Sequence, residues 1–525
     1  MLAACVPPGG PDTFTTTMRI CVCNLPLLLL LPACGPQSFG SLTDPGLSST
    51  SEISSDSDSS GPFPVTTGEP SGIAGDSTGN TATTGTTDDT TTAGTADDTT
   101  TTETNTDTVD DTTTDDTTGG CDDCVVPPIS AGGNFTCAIA PGHRLRCWGL
   151  GSQGALGLGA TQNIGDNELP SVAADVDVGS QIVEISAGGG GTTACARLAN
   201  GGVRCWGYDQ NFTGMLGQMN PATIGDDETP ATIPPIDLGG AATQVSAGGS
   251  HACAIVGRGA VRCWGSNDAG RLGYGNTEDI GDDETPADAG DVDVGDTVLA
   301  LAAGGTHTCA LLPMGRVRCW GIGQDGQLGH GILDPLGPPE LSWVGDNETP
   351  ASMGDVPVGG TVVQIATGAG HSCALLDTGA VRCWGSNYFG ALGHNMDDGD
   401  DIGDDETPAD IGDVPLDTPV IQVAAGYQTT CALLTTGAVR CWGYNNYGQL
   451  GQGHQQNLLA AQAPDIELGG IASALSLRDD EACAALTDGT LRCWGRTFWG
   501  ELGYAHTNPV GDDETPASVG PIPFF

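Results

Sequence analysis

The chain has 525 residues, with 66 acidic side chains, 15 arginines, no lysine and a formal charge of −51. Recognition of nucleic acid or of an anionic lipid surface needs clustered basic side chains, so the composition excludes both. The 83 glycines and 33 prolines favour β-structure with many turns over long helices.

The N-terminal region resembles an export signal. From Met18 it reads MRICVCNLPLLLLLPACG: a basic start, an apolar run shorter than the roughly 20 residues that span a bilayer, and Cys34. This is similar to a bacterial lipoprotein signal, in which Cys34 is lipidated and becomes the first mature residue. An ordinary cleaved secretion signal is the alternative. We therefore predict a signal segment at residues 1–34, with Met18 as the true start, and an extracytoplasmic protein held to the bacterial envelope by its lipid alone.

The next segment has the composition of a linker. Residues 41–120 contain runs such as TTTDDTTGG and neither arginine nor lysine. Such a sequence cannot bury a core and is extended by its own charge. We predict a disordered tether over residues 35–124, followed by one globular domain over residues 125–525.

The globular part consists of seven repeats. Each contains two cysteines ten positions apart, followed by Trp-Gly, and these tryptophans recur every 52 to 64 residues. Within the fifth repeat, VVQIATG, SCALL and AVRCW indicate short strands separated by turns, and a fourth strand is expected near ALG or VPL. Repeats of this length built from strands predict an all-β fold, a seven-bladed β-propeller of four-stranded antiparallel blades.

The cysteine spacing predicts disulfides within single β-hairpins. In CALLTTGAVRC the two cysteines are equidistant from the turn, so their Cα atoms should face each other at about 4.5–5.5 Å, within disulfide range. Zinc sites space their cysteines more closely. The predicted pairs are Cys137–Cys147, Cys195–Cys205, Cys253–Cys263, Cys309–Cys319, Cys373–Cys383, Cys431–Cys441 and Cys483–Cys493. Cys121 and Cys124 of CDDC are predicted to form an eighth pair, which leaves no free thiol after removal of the signal.

These residues resemble a known repeat. HSCALL at 371–376, GAVRCWGSN at 379–387 and GALG at 390–393 are similar to the regulator-of-chromosome-condensation repeat. The resemblance implies a seven-bladed propeller, with the paired cysteines as a departure that suits an exported relative. The eukaryotic namesake is a guanine nucleotide exchange factor, but its exchange residues lie outside the shared repeat, so this activity is not expected here. Exported bacterial members include an inhibitory protein that binds a β-lactamase through loops on one propeller face.

An acidic hexapeptide recurs in six of the seven repeats. GDDETP begins at residues 225, 281, 403 and 511, and variants of it begin at 165 and 345. Asp side chains cap turns and proline can open the next strand, so a structural turn is one interpretation. Closely spaced carboxylates also suit Ca²⁺, although the twelve-residue Ca²⁺ loop is absent. No firm cofactor or metal is predicted, and the weak Ca²⁺ candidates are Asp226, Asp227, Glu228, Asp282, Asp283, Glu284, Asp404, Asp405 and Glu406.

Two other positions recur with a structural interpretation. Histidine lies two residues before the first cysteine in three repeats, as His251, His307 and His371. Because the other four repeats lack it, we predict structural hydrogen bonds and not a ring of metal ligands. An arginine precedes the second cysteine in every repeat, and we predict that it pairs with a carboxylate, with the hexapeptide as the suggested source.

Aromatic residues follow Trp-Gly in several repeats and are the best candidates for partner binding. Exposed aromatic loops are typical anchors of protein interfaces, although packing within the repeat is the alternative. The candidates are Tyr208, Phe212, Tyr388, Phe389, Tyr444, Tyr447, Phe498 and Trp499, with the heaviest loading in repeats five to seven. We predict a binding platform for a protein or polysaccharide, without catalysis. A carbohydrate-active enzyme with two dispersed carboxylates, or a secreted enzyme inhibitor, is the alternative.

Overall fold

The computed structural model describes residues 2–4, 20–22, 128–209, 212–219, 223–331, 342–396 and 399–525. The chain forms two units, with the boundary between residues 120 and 121. In the N-terminal unit, strands β1 (Leu2–Ala4) and β2 (Ile20–Val22) form an antiparallel pair. Within the described ranges, no helix has the length and apolar character that crossing a membrane requires. Cys34, Cys121 and Cys124 lie outside the described residues, so their predicted lipidation and pairing stay predictions.

The second unit contains seven antiparallel sheets, which confirms the predicted propeller. Each blade runs from an inner strand through a middle strand to an outer strand. The inner strands are β3 (Ile129–Ala131), β6 (Ile182–Ala187), β10 (Ala242–Ala247), β13 (Ala300–Ala303), β16 (Val362–Thr367), β19 (Val420–Ala425) and β22 (Ala472–Arg478). The middle strands are β4 (Phe135–Ala140), β7 (Thr193–Leu198), β11 (His251–Val256), β14 (His307–Leu312), β17 (His371–Leu376), β20 (Thr429–Leu434) and β23 (Glu481–Leu486). The outer strands are β5 (Arg144–Gly149), β8 (Val203–Tyr208), β12 (Ala260–Gly265), β15 (Arg316–Gly321), β18 (Val381–Gly385), β21 (Val439–Gly443) and β24 (Leu491–Gly495).

The fourth strand of each blade is short. Among the described residues, blade two alone has one as a strand, β9 (Thr223–Ile224), paired with the end of β8. In the other blades a single bridge replaces it, as between Gly385 and Ile402 in blade five. This edge lies directly before the acidic hexapeptide and not at ALG. The VPL segment supplies one further bond at the other end of the outer strand, from Val414 N to Val381 O (2.8 Å).

The ring closes through hydrogen bonds between neighbouring inner strands. Ala187 N donates to Ser130 Oγ of the preceding blade at 2.9 Å. The same bond joins Ala131 N of blade one to Ser476 Oγ of blade seven, also at 2.9 Å. A serine hydroxyl that accepts from an alanine N–H of the following blade therefore also joins the last blade to the first.

All seven predicted cross-strand disulfides are confirmed. In each blade the two cysteines are directly opposed in the middle and outer strands, as for Cys373 and Cys383. The Cα atoms lie 4.0–4.1 Å apart, closer than expected. The hairpin bond from Leu376 N to Ala380 O explains this, because it places the cysteines at a non-hydrogen-bonded pair, where the strands approach most closely.

The core lies between adjacent blades. The seven tryptophans after the second cysteines are fully buried. Five of their indole N–H groups donate to a carbonyl of the preceding blade, as from Trp442 Nε1 to Ala391 O at 3.0 Å. Large aromatic side chains with a satisfied polar atom thus fill the wedge between sheets and fix the spacing of the blades.

The predicted role of proline in the hexapeptide is wrong. It opens a single helical turn, not a strand, because its fixed φ suits the first helical position and it needs no N–H partner there. The four turns that reach α-helical geometry are α1 (Pro286–Ala289), α2 (Pro350–Met353), α3 (Pro408–Ile411) and α4 (Pro516–Val519). In α1 and α3 the preceding threonine and an aspartate form a capping box.

The buried histidines join one blade to the next, as predicted. His371 Nε2 lies 2.9 Å from Thr430 Oγ1, and that hydroxyl donates to Ala391 O at 2.8 Å. His251 pairs in the same way with Thr308, and His307 with Ser372. Since the single hydroxyl proton goes to the carbonyl, Nε2 must carry a proton and donate. Burial lowers the pKa of His371 to about 4 and that of His307 to about 3, so these rings stay neutral.

Blade seven makes the same contact with a carboxyl group. Glu481 occupies the histidine position, is 2% exposed and hydrogen-bonds Thr136 of blade one. Thr136 also bonds Glu501 O at 2.9 Å. One hydroxyl proton cannot serve both acceptors, and a protonated Glu481 that donates to Thr136 Oγ1 satisfies both contacts. Burial and repulsion from Glu501 raise its pKa well above the usual range, which agrees.

Candidate functional site

One face of the ring carries the candidate residues. The outer strands end on this face, which we call the upper face, and both the aromatic loops and the acidic hexapeptides follow from that end. In blade five, Tyr388 and Phe389 come soon after Gly385, and the bridge from Gly385 to Ile402 leads directly into Gly403–Pro408. The opposite, lower face carries the hairpin turns between middle and outer strands.

The structure brings four of the eight predicted aromatics together. Phe389 and Tyr444 have ring centroids 4.8 Å apart, Tyr444 and Tyr447 are 6.4 Å apart, and Tyr447 and Phe498 are 5.9 Å apart. We call this row across blades five to seven the aromatic track. At its end the guanidinium of Arg496 lies 5.2 Å from the Phe498 ring centroid.

The track is partly open to solvent. Phe389 is 38% exposed and Phe498 is 50% exposed, and Tyr388 and Trp499 beside them are exposed as well. Apolar surface of this kind on a folded domain is typical of an interface. Tyr208 and Phe212 lie apart on blade two and are not linked to the track by any ring contact among the described residues.

Buried polar side chains hold the track loops in place. The carboxylate of Glu501, which is fully buried, accepts from Phe498 N at 2.9 Å and from Trp499 N at 2.7 Å. In blade six the amide oxygen of Gln449 accepts from Tyr447 N at 2.9 Å. These hydrogen bonds fix the backbone of the turns that carry the rings. A partner therefore loses less binding free energy to ordering these loops.

A hollow of about 390 Å³ opens at the axis beside the track. Its lining includes Tyr427, Arg478, Asp479, Asp480 and Arg496 among glycines from the other blades. Arg478 crosses the axis from blade seven and donates to the carbonyls of Ala303 (3.2 Å) and Ala247 (3.1 Å).

Sequence reasoning missed the hollow, although the repeat alignment contains its signal. Arg478 stands where each of the other six repeats has glycine, at Gly132, Gly188, Gly248, Gly304, Gly368 and Gly426. At the next position Asp479 stands where five repeats have glycine or alanine and the sixth has Tyr427, which also lines the hollow. The departure of one repeat from its six copies marks the residues that enter the axis.

Five of the seven arginines before the second cysteines pair with a carboxylate as predicted, but not with the hexapeptides, and Arg492 bonds Thr490 Oγ1 and Leu491 O instead. Arg382 Nε lies 2.7 Å from Asp413 Oδ1, an aspartate well downstream of the acidic turn. Four other arginines make the equivalent bond, and they are Arg146, Arg262, Arg318 and Arg440. Arg204 instead donates to Pro230 O and Ile233 O, since no aspartate stands at the matching position. The suggested hexapeptide partner is therefore wrong.

The acidic turns are consequently left without arginine partners among the described residues. In the four GDDETP copies, the three carboxylates each place an oxygen within 4.8 Å of the others. Burial, together with hydrogen bonds and repulsion from the neighbouring aspartates, raises the pKa of Glu284, Glu406 and Glu514 to about 7. This crowding of negative charge is compatible with a hard cation, but it is also common on acidic surfaces.

The Ca²⁺ prediction has a direct test. If the acidic turns bind Ca²⁺, a chelator should lower the melting temperature, and the Asp283→Asn/Asp405→Asn variant should reduce that effect, because fewer carboxylates remain to hold the ion. Differential scanning fluorimetry with and without chelator measures it. Superimposable melting curves for the unmodified protein would contradict the prediction.

The fold and this face together define a disulfide-stapled seven-bladed β-propeller with its candidate surface built from loops. The family model described as RCC1-like domain matches residues 165–523, and the chain belongs to this family. The chain is 28% identical over 391 residues to the ultraviolet-B receptor UVR8 of Arabidopsis thaliana, covering 73% of this chain and 80% of the receptor. It is also 28% identical over 327 residues to the human E3 ubiquitin-protein ligase HERC2, covering 61% of this chain but only 6% of the ligase.

Solved structures agree on the fold. Human WBSCR16 superposes with a TM-score of 0.54 at 20% identity, covering 70% of this chain and 92% of that one. Prp20p from Saccharomyces cerevisiae gives a TM-score of 0.55 at 20% identity, covering 75% and 86%. At this identity the likeness concerns the fold alone.

Proposed function

We propose that this protein is a lipoprotein of the bacterial envelope whose propeller binds a partner protein on its upper face and catalyses no reaction. The aromatic track is the observation that carries the proposal, because partly exposed rings held by buried polar groups have the character of interface anchors. Prp20p from Saccharomyces cerevisiae, which is described as binding Gsp1p and histones, offers a precedent for protein recognition by this fold. The envelope location rests on the signal-like sequence that ends at Cys34.

Affinity capture tests this proposal. The full chain is immobilised and exposed to solubilised envelope of the source organism, in parallel with Tyr447→Ala/Phe498→Ala. We expect a defined protein to bind the unmodified chain and to be depleted about tenfold or more on the variant, because truncation of two central aromatics removes most of the anchoring energy.

The matched control is Met314→Ala. Met314 is 82% exposed in the hairpin turn between β14 and β15, on the lower face. This variant removes an exposed apolar side chain of similar size without touching the track. Equal depletion by the control and the track variant would contradict the proposal, and capture of a polysaccharide in place of a protein would replace the partner class.

A further inference from the structure

The aromatic track lies directly against acidic turns of the following blades. A Cβ atom added at Gly448, next to Tyr447, would lie 2.4 Å from Asp512 N, so this loop touches the hexapeptide that starts at Gly511. A Cβ atom at Gly500, next to Trp499, would lie 2.2 Å from Asp166 N of blade one. The loops that carry these rings thus contact the backbone of acidic turns on the surface that the proposed partner would contact.

Among the described residues, the contact between an aromatic loop of this kind and an acidic turn is confined to blades six and seven, at one end of the aromatic track. The residue before the equivalent glycine is Gln153 in blade one, Thr213 in blade two, Ala269 in blade three and Asp325 in blade four. The carboxylates of Asp226 and Asp227 therefore lie against a loop without a ring at that position, although their sequence is the same GDDETP. Blades six and seven alone place an aromatic residue before a glycine that contacts an acidic turn.

The domain that carries this surface is strongly acidic. Residues 125–525 carry 47 acidic side chains against 14 arginines. Five of those arginines are paired with downstream aspartates, and none forms an ion pair with a hexapeptide carboxylate within the described ranges. A second copy of this chain, equally acidic and without lysine, would be repelled from the same face.

We propose that the partner segment is basic, with arginine or lysine side chains that lie over Tyr447 and Trp499 and reach the carboxylates of Asp512, Asp513 and Asp166. This inference rests on the proposed function and adds the chemistry of its partner. The chain already contains one such contact, because Arg496 lies over Phe498. A cation above a ring and beside a carboxylate is attracted by both groups. Its charge also reduces the repulsion between the neighbouring carboxylates.

Peptide binding to the full chain tests the inference. The probes are fluorescein-labelled (Gly-Ser-Arg)4 and its neutral counterpart (Gly-Ser-Gln)4, followed by fluorescence anisotropy at about 50 and about 300 mM salt. We expect the arginine peptide alone to bind, with affinity reduced about tenfold by Tyr447→Ala and about fivefold by Asp512→Asn/Asp513→Asn.

The control separates a site from diffuse attraction to an acidic protein. Asp226→Asn/Asp227→Asn removes the same two charges from an identical hexapeptide that has no ring beside it, and we expect less than about a twofold loss. Equal losses from the two charge variants, or no effect of Tyr447→Ala, would overturn the inference.

Proton release gives a second readout. The pKa of Glu514 is raised to about 7 by burial and by its aspartate neighbours. A bound cation favours the ionised carboxylate and lowers this pKa, so binding near pH 7 should release protons, seen as a calorimetric enthalpy that depends on the buffer. Absence of any buffer dependence would count against contact with this turn.

The two proposals fail separately. If the envelope protein is lost with Tyr447→Ala/Phe498→Ala but unaffected by Asp512→Asn/Asp513→Asn, the platform stands and the basic partner is refuted. If no envelope protein is captured while the arginine peptide binds with the expected variant pattern, the surface chemistry stands and the proposed function falls.

Discussion

Replacing Glu481 by alanine is expected to destabilise the propeller by about 2–3 kcal/mol, whereas Glu481→Gln should cost less than about 1 kcal/mol. The reason is the donor requirement at the seam between blades seven and one. When Thr136 gives its hydroxyl proton to Glu501 O, the side chain at position 481 has to supply the donor. A glutamine amide supplies that donor without a titrating group. Urea denaturation of the three proteins at pH 7 measures the difference.

The pH dependence of the free energy of unfolding also reports on the protonation of Glu481. Because the folded pKa of Glu481 is raised, the folded state keeps a proton that the unfolded state releases above its ordinary value of 4.5. The associated stability is complete below that value and is lost as pH rises toward the folded pKa, by about 1.4 kcal/mol per pH unit. Above pH 7 the histidines no longer oppose this trend, since their lowered pKa values affect stability only below 6.5.

Glu481→Gln should therefore flatten the decline in stability as pH rises above 4.5, relative to the unmodified protein. Glu481→His is a second informative variant, since histidine fills this role in blades three, four and five. Glutamine that destabilises as much as alanine, with an unchanged pH profile, would show that Glu481 is ionised and that the proton assignment is wrong.

The sequence contains the residue pattern behind these contacts between blades. The pattern becomes visible only when the order of the blades around the ring is known. A hydroxyl follows in the next blade wherever histidine or glutamate occupies the position, as His251 precedes Thr308 and Glu481 precedes Thr136. Where the position holds Phe135, Thr193 or Thr429, the next blade has alanine at 194, 252 or 482. Knowledge that blade seven abuts blade one is needed to see that Glu481 and Thr136 obey the same rule.

Local spacing predicted the blades well because it reports on local structure. Cysteines equidistant from a turn must face each other in a hairpin, so the disulfides followed from sequence. The arginine partners did not, since Asp413 reaches Arg382 through a loop whose path is not encoded by strand periodicity. The track was predicted only as a sector, because the contact of Tyr447 with Phe498 depends on the rotation between adjacent blades.

Full reduction of the seven disulfides is expected to unfold the propeller. Each closes a short loop, which in the chain-entropy model contributes roughly 2–3 kcal/mol, and all fourteen cysteines are nearly inaccessible to solvent. Seven such contributions amount to about 14–21 kcal/mol, which matches or exceeds the upper end of the 5–15 kcal/mol by which domains are typically stable. Loss of one bridge, as in Cys431→Ala/Cys441→Ala, should lower the free energy of unfolding by about 2–3 kcal/mol and leave a folded ring, because the other six blades keep their own staples. Urea denaturation with and without reductant measures both effects. Alkylation of the unreduced protein, read by mass spectrometry, is the control, and labelling of seven or more cysteines there would contradict the disulfide assignment on which these values depend.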